Sequence, residues 1–138
     1  MKIVLDTTVL ISALIKEGKP RELLYEILDG HELISSKEIL EEVAIIANEP
    51  RVRKYVEQDD IADFFRNLAS SGHIIKISSK FRAVKEDPDE DIILRIAGDG
   101  KASFVVSGDA HLLGMRKFRR IRIVTVIEML LMLRNRAT

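Results

Sequence analysis

Two carboxylates in this chain stand where short apolar runs end. Ile3, Val4 and Leu5 are followed at once by Asp6, and Phe104, Val105 and Val106 are followed by Ser107, Gly108 and Asp109. A third acidic feature lies between them, because Glu86 to Asp91 carries five acids in six positions. Four acids near one point repel each other unless a cation holds them, and hard divalent ions such as Mg2+ or Mn2+ take oxygen ligands and keep several waters. The chemistry implied is metal-assisted attack of water on a phosphodiester, which needs no serine, cysteine or histidine nucleophile. The chain has no cysteine, which excludes disulfides, thiolate metal sites and a cysteine nucleophile, and a reducing cytoplasm is the expected location.

The elements that must position these acids alternate between strand and helix. Three consecutive branched apolar residues before Asp6 read as a strand buried on both faces, the mark of a central strand in a parallel sheet. The spacing predicts a helix from Val9 to Ile15, a second opened by Pro20 and closed by Gly30, a strand from Glu32 to Ser35, and a third helix capped by Ser35 with Glu38 and running to Ala47. Helical pieces at Arg51–Glu57 and Asp60–Ser70 follow, then a strand from Ile74 to Ile77 and an aperiodic loop from Ser78 to Glu86. Asp87, Pro88 and Glu90 read as cap, first-turn proline and capping-box acid of a helix ending at Gly98. Phe104–Val106 and Arg122–Val124 read as further strands, and Thr125 with Glu128 caps a last helix. The order predicts one α/β domain over residues 1–138, a three-layer α/β/α sandwich around a mainly parallel five-stranded sheet, with a helical insertion between its second and third strands. Right-handed crossovers bring every parallel strand's carboxyl end to one rim, where Asp6 and Asp109 meet and which the start of the Asp87–Asp91 helix can reach.

Length and composition agree with a single core. The 138 residues are 46% hydrophobic, and charges interrupt every apolar run long before the roughly 20 residues of a membrane span. Lys plus Arg and Asp plus Glu each number 22, so no global attraction to a polyanion follows from net charge. Locally the signs separate: Arg116, Lys117, Arg119, Arg120 and Arg122 form a basic run that leads into the last strand, toward the rim opposite the carboxylates. Lys16, Lys19 and Arg21 are the alternative phosphate contacts.

The segments Asp6-Thr7-Thr8-Val9-Leu10, the Ser36 to Val43 helix with Glu42, Asp87-Pro88-Asp89-Glu90-Asp91, and Ser107-Gly108-Asp109 followed by Leu112-Leu113 resemble the PIN domain. The likeness is strongest to the small prokaryotic PIN proteins assigned as toxins of toxin-antitoxin pairs, and it covers nearly the whole chain with the four motifs in order. It implies a Mg2+- or Mn2+-dependent endoribonuclease whose acidic quartet maps onto Asp6, Glu42, Asp91 and Asp109, with Asp6, Asp91 and Asp109 as metal ligands. Thr7, Thr8, Asp89 and Ser107 would support them. It also implies an RNA substrate, an antitoxin partner and a homodimer, with no membrane. Thr8 stands where the family commonly has asparagine, and His111 where many relatives carry another acid; neither change removes a quartet carboxylate. The alternative is an idle scaffold of the same fold that binds RNA or protein.

Simpler roles compete for the same residues. Asp87 and Asp89 are helix-start acids of the kind the macrodipole favours, and Arg95, four residues after Asp91, offers it an ordinary helix ion pair. His31 and His73 precede strands and fall at the far rim. At about 100° per residue, Glu42 borders the apolar face formed by Ile39, Leu40, Val43, Ile46 and Ala47, whereas Glu41 points to solvent. Ile45 points away from that face, and Met129 to Leu133 is apolar on more than one side, so a second copy or an antitoxin is expected to cover part of this surface.

Overall fold

Ile3, Val4 and Leu5 lie at the centre of the sheet, none more than 1% exposed, because a strand covered on both faces has no polar side to present. The computed structural model describes residues 1–80 and 87–136. In chain order these form β1 (Lys2–Leu5), α1 (Thr7–Ile15), α2 (Lys19–Gly30), β2 (Glu32–Ser36), α3 (Lys37–Ala47), α4 (Pro50–Arg53), α5 (Gln58–Ser71), β3 (His73–Ile75), α6 (Pro88–Asp99), β4 (Phe104–Val106), α7 (Ala110–Met115), β5 (Lys117–Phe118), β6 (Ile121–Val124) and α8 (Val126–Arg136). Most of the loop expected up to Glu86, and Glu86 itself, lie outside the described residues.

The sheet runs β3-β2-β1-β4-β6-β5. Its first five strands are parallel, with Val4 opposite Ile34 on one side and Val105 on the other. The sixth, β5, pairs antiparallel with β6 and had not been expected, so the sheet has six strands and is mixed at one edge. From β1 the chain adds β2 and β3 to one side and then crosses back to add β4 and β6 to the other. The order therefore reverses between β1 and β4, and at such a switch point a crevice opens outside the carboxyl ends of the strands. Asp6 and Asp109 follow the two strands that flank it.

Helices flank the sheet in the expected three layers. One buried cluster spans the strands together with Leu10, Leu23, Ile27, Leu94, Ile96 and Met129. A smaller cluster of Leu14, Ala47, Val52, Val56 and Ile61 closes the helical insertion α4–α5 onto α1 and α3. Burying each such aliphatic side chain contributes roughly 1.5–3 kcal/mol. Gly100 sits where the chain leaves α6 under β2, and a Cβ there would stand 2.5 Å from Ile34 Cγ2, so no larger residue fits without a shift. The cap of α3 is Ser36 rather than Ser35: its hydroxyl accepts the Ile39 N–H at 3.3 Å, while Ser35 stays in the strand with its buried hydroxyl unpartnered. Among the described residues no helix is long and apolar enough to cross a membrane.

Candidate active site

Asp6 has the extended backbone of an N-cap and closes β1 onto α1. One carboxylate oxygen accepts the Thr7 N–H at 2.7 Å, and the other accepts the Ser107 hydroxyl at 2.7 Å. Ser107 is fully buried, and its oxygen also accepts the Asp109 N–H at 3.0 Å. A single hydroxyl thus ties the two strand-end acids together across the switch point. Asp109 in turn caps α7, accepting the N–H groups of His111 at 2.8 Å and Leu112 at 3.1 Å.

The remaining acids come from α3 and α6. Glu42 is half-buried and held by the Thr7 hydroxyl, whereas Glu41 is exposed and pairs with Lys37 at 3.5 Å. Asp87 caps α6, accepting the N–H groups of Asp89 at 3.0 Å and Glu90 at 3.3 Å. Asp6, Glu42, Asp87, Asp89, Glu90 and Asp109 all line one cleft of about 780 Å³, with Thr7, Thr8 and Ser107 in its wall. Neither lysine nor arginine lines it among the described residues.

Asp91, expected in the site, does not line this cleft. It lies about 100° further round α6 than Glu90, is buried at 6% exposure, and pairs with Arg95 at 3.0 Å. In its place α6 presents Asp89 and Glu90. Glu90 had read as a capping acid, but its carboxylate is 6% exposed and lies 2.8 and 3.0 Å from His111 Nδ1. The signal for it was present in the sequence: Glu90 stands three and seven residues before Ile93 and Ala97, on the buried stripe of the helix, where a solvent-facing acid has no place.

Electrostatics record the crowding. Burial pushes the Asp6 carboxyl above the usual carboxylate range; bonds from Ser107 and Thr7 oppose this, and the charges of Asp109 and Asp89 add to it. Glu42 is raised by burial and then by Asp89, with a smaller push from Asp6 against the bond from Thr7. Glu90 is raised by burial despite its bond to His111, and the adjoining Asp109 raises it further. Asp109 is lowered, chiefly by the Leu112 N–H. The acids thus form a connected series, Glu90 beside Asp109, Asp109 beside Asp6, and Asp6 with Glu42 beside Asp89. Among the described residues no three of these side chains converge closely enough to share one ion.

A second groove, of about 550 Å³, runs between α1, α2 and α5 past Arg21, Tyr25, Tyr55 and Phe64. It holds no strand-end acid. His31 and His73 lie at the far rim, beside the Met1 amine at 3.2 Å and Glu32 at 3.5 Å.

The PIN domain family model matches residues 2–111. The chain is also similar to an uncharacterized protein of Methanocaldococcus jannaschii, 29% identical over 120 residues that cover 84% of this chain and 76% of that protein. The match spans β1 through the first turn of α7 and so contains every acid of the cleft; with the fold and the switch-point crevice, it places this chain in the PIN domain family, a family of nucleases.

Proposed function

We propose that the protein is a divalent-metal-dependent endoribonuclease and that its catalytic acids are Asp6, Glu42, Asp89 and Asp109. One observation carries this reading: six carboxylates from four elements face one cleft that, among the described residues, no lysine or arginine lines. The donor set is all oxygen, which suits Mg2+ or Mn2+, and like charges held apart by repulsion are drawn together when a cation occupies the space between them. Asp6, Asp89 and Asp109 would hold the ion, with Glu42 completing the set. When bound, the ion supplies a water ionised near neutral pH and charge stabilisation for the attacked phosphodiester.

The chain's own residues do the rest. Ser107 holds the Asp6 carboxylate and the Asp109 backbone relative to each other through its two hydrogen bonds, and the His111 and Leu112 N–H groups fix the Asp109 side chain. Thr7 turns Glu42 toward the cleft. Glu42, outside the three acids that would hold the ion, can accept a proton from water approaching the phosphate. Glu90 holds His111 at the cleft's edge. Exposed Ile45, Ile127 and Leu131 offer apolar surface to a protein partner, which supports the finer assignment as the toxin of a toxin-antitoxin pair.

The test is incubation of the purified protein with mixed RNAs and with DNA of matching sequence, with Mn2+, with Mg2+ and with chelator. Cleavage of RNA that requires a divalent ion and stops with chelator is expected. Chelator-resistant cleavage removes the metal-dependent assignment, and no cleavage with either ion leaves the idle scaffold.

A further inference from the structure

Of Lys16, Lys19 and Arg21, the last two are engaged elsewhere. Lys19 pairs with Glu22 at 3.2 Å, and Arg21 donates to the carbonyls of Ala13 and Leu14 at 2.7 and 2.9 Å, closing the end of α1. The basic run after α7 is different. β5 and β6 form a tight hairpin with Lys117 opposite Arg122 and Phe118 opposite Ile121. Together with α7 and the start of α8 it bounds a groove of about 560 Å³ lined by Arg116, Lys117 and Arg122.

All five cations of the run are exposed. Among the described residues, Arg116, Lys117 and Arg120 form no ion pair with any carboxylate. The Arg122 guanidinium is steadied over the Phe104 ring, 5.7 Å from its centroid. Glu128 also lines the groove, accepting the Thr125 N–H at 3.1 Å in the cap of α8, and its charge is felt by Arg122, so the three cations outnumber the one acid of the groove. The hairpin starts on the far rim, as the sequence suggested, but the groove does not end there. Leu113 and Thr125 line both this groove and the acidic cleft, so the two adjoin across a shared wall. Arg122 stands three residues before Thr125, about 10 Å at a strand's rise per residue.

We propose that this groove binds the sugar-phosphate backbone of a single RNA strand on one side of the bond to be cut. Arg116, Lys117 and Arg122 each neutralise phosphate, and the strand passes over Leu113 and Thr125 into the cleft. The assignment rests on the nuclease reading of that cleft. A single strand fits because the three cations sit together, Arg116 next to Lys117 and Lys117 opposite Arg122, within reach of neighbouring phosphates of one backbone. Recognition is by charge and carries no base preference.

The experiment measures binding of a labelled single-stranded RNA to the full chain in chelator, where no metal-dependent cleavage intervenes, across a series of salt concentrations. The groove variant carries Arg116→Gln, Lys117→Gln and Arg122→Gln; a control variant loses the same charge at exposed Lys54, Lys76 and Lys101, outside the groove. The groove variant should bind about tenfold or more weakly, with the log–log salt slope shallower by about 2 units for three lost phosphate contacts on a single strand. The control should keep the wild-type slope. Equal losses in both variants, or a groove variant that keeps the wild-type salt slope, would overturn the groove assignment. Either result is read without cleavage, so it is separate from the outcome with Mn2+: an intact nuclease with an ordinary groove and a phosphate-binding groove beside an inert cleft are distinct findings. A circular dichroism spectrum and melting curve of each variant establish that the folded protein is being compared.

Discussion

On α6 one helical step separates Glu90, which faces the cleft beside Asp109, from Asp91, which faces Arg95. Acids that line the cleft and acids that turn away from it should therefore respond differently to neutralisation. Asp89→Asn and Glu42→Gln should lower metal-dependent cleavage by about a hundredfold, the scale of removing one preorganised charge-stabilising group. Glu41→Gln should change it by less than about twofold, because that carboxylate makes only an exposed pair with Lys37. Asp91→Asn should leave cleavage per folded molecule nearly intact and instead destabilise by about 1–3 kcal/mol, because it removes the charge of a buried carboxylate paired with Arg95. Initial rates at saturating Mn2+ and urea melts of the four variants check this; a large rate loss at Asp91 would return it to the site. Asp6 supplies a test in pH. Its carboxyl is raised in the fold, so the favourable contribution of its proton is complete below the unfolded value near 3.8 and is lost as pH rises through the raised value. In metal-free protein, Asp6→Asn should match wild type near pH 3 and become the more stable of the two as pH climbs, with the gap levelling off at neutral pH. Mn2+ should narrow that gap by stabilising wild type alone, which urea unfolding from pH 3 to 8 will read.

Elements were legible where their pattern was long and chemically plain. Ile3-Val4-Leu5 before Asp6, Phe104-Val105-Val106 before Ser107, and Asp87-Pro88 before the apolar stripe of α6 each carry a strand or cap signal that nothing competes with. Two neighbouring serines defeated the reading at α3, since the Ser-x-x-Glu spacing selects Ser35 while the strand continues one residue to Ser36. The hairpin was missed for another reason. Its strand β5 is two residues long, and its turn, Arg119-Arg120, has none of the glycine or asparagine that announces a tight hairpin. Arginine instead occupies left-handed backbone, with φ of 62° at Arg116 and 56° at Arg119. For a residue with a Cβ such a conformation costs roughly 1–2 kcal/mol, against roughly 0.5–1 kcal/mol of extra chain entropy for glycine. Arg116→Gly should accordingly melt at the same temperature as wild type or a few degrees higher, while binding single-stranded RNA more weakly. Thermal scans beside the binding assay check it, and a clear drop in melting temperature would show that the Arg116 side chain holds the hairpin up. The acid series of the cleft was legible at the strand ends and less so on helices, because a strand end fixes direction whereas one helical step moves a side chain by about 100°.

At the scale of the whole molecule, the surface is uneven in polarity and in charge. Ile45 on α3 is 70% exposed, and Ile127 and Leu131, one turn apart on α8, are 50% and 56% exposed. Sedimentation equilibrium should detect self-association in the micromolar range, and Leu131→Lys or Ile45→Lys should shift it toward monomer; a wild-type protein that stays monomeric at high concentration would count against a second copy on these faces. Charge is uneven in a more directed way. Formal net charge is zero, yet the acidic cleft and the basic groove share a wall. The molecule therefore has almost no monopole and a steep local dipole, and a polyanion arriving from solution is turned more than it is pulled. Within a Debye length of roughly 8 Å at physiological salt, the groove attracts a strand while the cleft beside it turns the same strand away. With the proposed groove and metal site, encounter would be ordered in time: the strand would touch down on the hairpin, and its next phosphate would cross the wall only once divalent cations had reversed the sign of the field there.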